Sequence, residues 1–131
     1  MTKRTIYIAL MFFVLGPMAI TACSDEDDSE AGDFIISASI DPDPPIVGRH
    51  TMTLSVTDLS STPVLEASIE VDPQMPAHGH GSNETPLVTE IGEGTYEAYP
   101  VTFTMPGTWE VTVHATAGEK HGMQHFNYEA Q

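Results

Sequence analysis

Thr51-Met52-Thr53-Leu54-Ser55-Val56 alternates polar and apolar residues without a break, and Trp109-Glu110-Val111-Thr112-Val113-His114 does the same. Successive side chains of a strand point to opposite faces, so a period of two gives one face for a core and one for water. Leu65, Ala67, Ile69 and Val71 repeat the pattern against Glu66, Ser68 and Glu70. No stretch after residue 33 carries a helical period. Turn-forming clusters separate the runs: Asp41-Pro42-Asp43-Pro44-Pro45, Ser60-Ser61-Thr62-Pro63, Gly92-Glu93-Gly94 and Met105-Pro106-Gly107. The pattern predicts seven strands, near 34–40, 50–57, 64–71, 86–91, 96–104, 109–115 and 121–128. Half-buried alternation belongs to antiparallel sheets. Seven short strands in about a hundred residues make an all-β, immunoglobulin-like antiparallel β-sandwich. The single cysteine allows no internal disulfide, so the core must come from Trp109, Phe103, Phe126, Tyr96 and the aliphatics.

Upstream of this domain the character of the chain changes. Lys3 and Arg4 precede an uncharged apolar run from Ile6 to Leu15, which Gly16 and Pro17 break. That is the order of a secretory signal peptide, and the run is too short for a comfortable membrane span. The segment closes on Ile20-Thr21-Ala22-Cys23. This resembles the bacterial lipobox, whose cysteine becomes the acylated N-terminus after cleavage. Residues 1–22 are therefore expected to be a lipoprotein-type signal peptide and Cys23 the lipidation site; ordinary cleavage after Ala22 is the alternative. Ser24 to Asp33 reads S-D-E-D-D-S-E-A-G-D, a one-signed block that stays solvated. With Cys23 it forms a linker, 23–33, that lifts the domain, 34–131, off the membrane; a cation-binding tail is the other reading.

The 109 residues after the expected cleavage keep Arg49 and Lys120 against all 19 acidic residues, a formal charge of −17. Such a surface repels nucleic acid and anionic headgroups and suits cations or basic partners. Signatures of catalysis are absent: there is no G-x-S-x-G, P-loop, G-x-G-x-x-G or H-E-x-x-H. The reading is a non-enzymatic module of the cell envelope, extracytoplasmic and lipid-anchored, in the outer membrane if the cell is diderm.

The unusual segment is Asp72-Pro73-Gln74-Met75-Pro76-Ala77-His78-Gly79-His80-Gly81-Ser82. Prolines stiffen a loop and glycines let it fold tightly. A His-x-His pair can set two imidazoles on one metal, and a thioether shifts the preference towards Cu(I). If each strand reverses direction, loops 41–49, 72–85 and 105–108 share one end of the sandwich. Met75, His78, His80 and Met105 are then the candidate ligands for copper, with His50 as an accessory; core packing before the Pro-Gly turn is the other role for Met105. A metal-free contact with an envelope protein, or an acid sensor built on histidines among carboxylates, are the competing readings. In the last strand His121, Met123 and His125 share one face and Phe126 and Tyr128 the other. His121 and His125 are about 13 Å apart in an extended strand, so these three cannot converge on one ion. Solvated positions are expected for them, and for His114.

The run from Val71 to Ala115 resembles the YtkA-like domain family, close to the FixH-like group. The resemblance rests on Met75-Pro76-Ala77-His78-Gly79-His80-Gly81, then Gly94-Thr95-Tyr96, then Met105-Pro106-Gly107-Thr108-Trp109. It implies a small immunoglobulin-like domain outside the cytoplasm, in a family some of whose members accompany copper handling or oxidase assembly. Ser82 stands where members often carry methionine.

Overall fold

The computed structural model describes residues 32–131; the expected signal peptide, Cys23 and most of the acidic linker lie outside them. Eight strands follow in order: β1 Phe34–Asp41, β2 Gly48–Asp58, β3 Ser68–Met75, β4 His80–Gly81, β5 Leu87–Gly92, β6 Thr95–Phe103, β7 Gly107–Ala117 and β8 Lys120–Ala130. They form two four-stranded sheets, β1-β2-β6-β5 and β4-β3-β7-β8, and every pairing is antiparallel. The fold is the expected sandwich, with one more strand, the two-residue β4.

The inward residues follow the predicted phase. Met52, Leu54 and Val56 of β2 meet Trp109, Val111 and Val113 of β7 in one buried cluster with Tyr96, Ala98, Val101 and Phe103 of β6. The Trp109 indole is fully buried and stacks on Phe103, ring centres 5.3 Å apart. Its Nε1–H donates to the Met105 carbonyl at 2.9 Å, which satisfies the one polar group a buried tryptophan brings inside. Phe126 and Tyr128 of β8 pack against the cluster, as their parity requires.

β3 departs from expectation in extent but not in phase. It begins at Ser68, not near residue 64, and runs through Pro73 to Met75. Leu65 is 52% exposed. It belongs to a loop held by the Tyr96 hydroxyl, which donates to the Val64 carbonyl at 2.7 Å and accepts from the Ala67 N–H at 3.0 Å. Pro73 fits inside the strand because its carbonyl accepts from the Ser82 N–H on the side away from β7. The imino nitrogen therefore faces that same side, and no ladder bond to β7 is lost.

The two ends of the sandwich differ. At one end the chain enters at Asp33, whose N–H donates to the His121 carbonyl at 2.7 Å and whose carboxylate accepts from the His121 N–H at 3.1 Å. β1 then runs away from this point, so Asp41 and the segments after β1, β3 and β6 lie at the opposite end.

Candidate binding rim

Three connections meet at that far end: residues 42–47, 76–86 and 104–106. The grouping expected from alternating strand direction is what the structure holds. An ion pair ties the second of these to the first sheet: the Arg49 guanidinium at the start of β2 donates through Nε to Glu84 Oε2 at 3.0 Å and through Nη2 to Glu84 Oε1. The Thr102 hydroxyl donates to Glu84 Oε2 at 2.6 Å. The Arg49 hydrogen bonds, then that of Thr102, pull the Glu84 carboxyl down to about 2. Sequence reading missed this clasp; the one signal was that Arg49 is one of two cations left in a strongly acidic domain.

Met75 ends β3, and a 3₁₀ turn, Pro76–His78, lifts the chain off the sheet. Gly79 closes the turn in the left-handed region, at φ 65°, and its N–H donates back to the Pro76 carbonyl. A residue with a side chain adopts that backbone reluctantly. The turn leaves His78 and His80 exposed with ring centres 5.9 Å apart. His80 Nδ1 lies 3.3 Å from the Gly81 carbonyl, where it can only be the donor, so Nε2 is the nitrogen with a free lone pair. The same ring sits edge-on over Trp109, centres 5.9 Å apart. Rings then run inward from His80 through Trp109 and Phe103 to His50.

The structure does not bring all five expected ligands together. Met75 is 2% exposed and belongs to the core. Its methyl fills the space over Gly107, whose missing Cβ would lie only 2.6 Å from it. Met75 is therefore the last inward residue of β3, and the loop expected from residue 72 is strand as far as 75. His50 is 1% exposed. Its Nδ1–H donates to the Val101 carbonyl at 3.2 Å and its Nε2 accepts from the Ile46 N–H at 3.2 Å. Neither nitrogen keeps a lone pair for a metal, and His50 joins the core as the polar pin of residues 42–47. Met105 is half-buried beside Trp109 and packs on the core. His78 and His80 remain as the accessible donors; the Met105 carbonyl holds the Trp109 indole that lies under His80. Among the described residues no three His, Cys, Asp or Glu side chains are grouped to hold a metal. Shallow depressions over Ser37, Ser39, Thr53 and Thr95, and between Leu65, Glu66, Glu90 and Glu93, lie away from the rim.

A family model described as YtkA-like matches residues 30–114, which take in the first sheet, the rim, the Met105-Pro106-Gly107 corner and most of β7, and stop short of β8. The chain belongs to the YtkA-like family. No curated protein and no solved structure matches it. In this YtkA-like domain the segments behind the resemblance have distinct tasks. Met75-Pro76 and Met105-Pro106-Gly107 interlock at the Met75 methyl, Tyr96 pins the loop at the other end, and the His78-Gly79-His80 turn stands out from the lock.

Proposed function

We propose that this YtkA-like protein is a lipid-anchored, extracytoplasmic binding module rather than an enzyme, and that its rim takes a copper ion through His78 and His80. The carrying observation is the 5.9 Å between the two exposed rings. Nitrogen ligands sit about 2 Å from such an ion. With the ion in the plane of each ring, two imidazoles sharing it have centres roughly 5–6 Å apart, the separation the two rings already have. The His80 contact to Gly81 supports this reading, because a backbone carbonyl on the second ring nitrogen is how ligating imidazoles are oriented. Met105, whose carbonyl holds the Trp109 indole under His80, would add a thioether, a donor that favours Cu(I). Copper when bound would make the rim a two- or three-coordinate site; the chain's part is to present the donors and keep them off the core.

The chain enters the domain at Asp33, at the end away from the rim. On a lipid anchor at Cys23, His78 and His80 then face away from the bilayer, towards a donor or acceptor of the envelope. The second reading is a metal-free contact of the same rim with an envelope protein, favoured by the clasp that fixes its shape. Titration of the full chain with Cu(I) and Cu(II) against a competing chelator separates the two. Binding should fall at least tenfold in His78→Ala and in His80→Ala, and less in Met105→Leu, which keeps volume. Binding no tighter than that of the acidic segment 24–33 alone rejects the copper reading and leaves the protein contact.

A further inference from the structure

The outward face of the second sheet carries donors that the rim does not use. On β7 the outward residues include Glu110, Thr112 and His114, and on β8 Met123 and His125. Register places His114 directly opposite Met123 on one side and Glu70 of β3 on the other. His125 stands opposite Thr112, which makes it the diagonal neighbour of His114. Directly opposed residues hold their Cβ atoms about 4.5–5.5 Å apart, and diagonal neighbours are about 7–8 Å apart. His114, Met123 and His125 therefore form a triangle across two strands. The single-strand trio His121, Met123 and His125 cannot do this, because its ends are too far apart.

His125 is already oriented. Its Nδ1 lies 3.0 Å from the Thr112 hydroxyl and 3.6 Å from a carboxylate oxygen of Glu110. The Thr112 hydroxyl, the hydrogen-bond partner of that nitrogen, fixes the ring and leaves Nε2 as the outward donor; a hydrogen bond on the far nitrogen recurs behind metal-bound histidines. Met123 is the odd residue of the face: a half-buried thioether between histidines on an otherwise polar surface. Glu70 and Asp72 of β3 and Glu110 of β7 give the same face negative charge.

We propose that His114, Met123 and His125 form a second metal site on this face, for a copper-class ion, with the Thr112 hydroxyl holding the His125 ring. The proposal does not depend on the rim. Two imidazoles and a thioether select copper over zinc, since imidazole suits both and the soft sulfur favours Cu(I).

The test uses the full chain carrying His78→Ala and His80→Ala, so that the rim is disabled. Cu(II) is titrated in, and binding is followed by calorimetry and by paramagnetic broadening of backbone amide NMR signals. One equivalent should bind, with broadening centred on residues 112–114 and 123–125. His114→Ala or His125→Ala in that background should weaken binding at least tenfold. Met123→Leu should spare Cu(II) more than Cu(I). All these side chains are at least partly exposed, and circular dichroism distinguishes a lost ligand from a lost fold. Broadening confined to the acidic segment, or affinity indifferent to both His114→Ala and His125→Ala, overturns the site. A rim that binds copper in the intact chain while this face does not would leave the proposed function standing and remove this one.

Discussion

Glu84 is the residue whose charge state decides whether the rim is clasped. Its carboxyl titrates at about 2, against an ordinary value of 4.5, because Arg49 and Thr102 hydrogen-bond the charged form. A depressed folded value means the contribution is complete above the unfolded value and is lost as pH falls through the folded one. The clasp should therefore hold through pH 4 and open only near pH 2. Carboxyl NMR should place the Glu84 midpoint near that value, and Arg49→Ala should raise it towards 4.5; a midpoint unmoved by that substitution would show that the ion pair does not form in solution. Trp109 makes the simplest statement about the core. Trp109→Ala should lower unfolding free energy by about 3–5 kcal/mol in urea titration, as for other buried large aromatics. The placement of Trp109 was legible from its alternation with Val111 and Val113. That of Met75 and His50 was not. A methionine before a proline and a histidine at a strand start look like free donors in sequence, and only the void over Gly107 and the Val101 and Ile46 backbone groups turn them inward.

At the scale of elements, the legible part was phase and the illegible part was extent. Ile69 and Val71 lie on the predicted side of β3, yet the strand lies several residues later than expected. Alternation alone cannot show that Tyr96 holds residues 64–67 away from the sheet, nor that a proline is harmless when its imino nitrogen faces away from the neighbouring strand. The turn after β6 shows a second tertiary constraint. Gly107 has φ +126°, a backbone that side-chain-bearing residues rarely adopt, and its open face receives the Met75 methyl. Gly107→Ala meets both obstacles and should destabilise by about 1–3 kcal/mol, the range for overpacking a fitted site. Adding Met75→Ala removes only the collision. If the collision is a real part of the loss, the double variant should show a coupling energy in urea unfolding. Strict additivity would assign the whole effect of Gly107→Ala to the backbone.

For the whole molecule, charge and polarity of attachment matter together. After the expected cleavage the chain carries a formal −17, with only Arg49 and Lys120 as cations. An anionic bilayer repels such a domain, and counter-ions screen that repulsion within about 8–10 Å at ordinary salt. The acidic surface itself therefore offers no attraction to such a bilayer. The nine residues Ser24 to Gly32 span at most about 30 Å when extended, and strands of up to 11 residues then separate Asp33 from the rim. A domain tethered at Cys23 would thus carry its histidines well clear of the surface, where a soluble partner can reach them. A single acyl chain gives only marginal attachment and two or more give stable anchoring. Cys23→Ser should consequently move the protein from the membrane pellet to the soluble fraction, and lowering the salt should not restore it, since weaker screening only strengthens the repulsion. A variant that still pellets would refute the anchor at Cys23. A variant that pellets at low salt and washes off at high salt would point instead to electrostatic adsorption on a basic membrane partner, the one attraction that so acidic a surface can make.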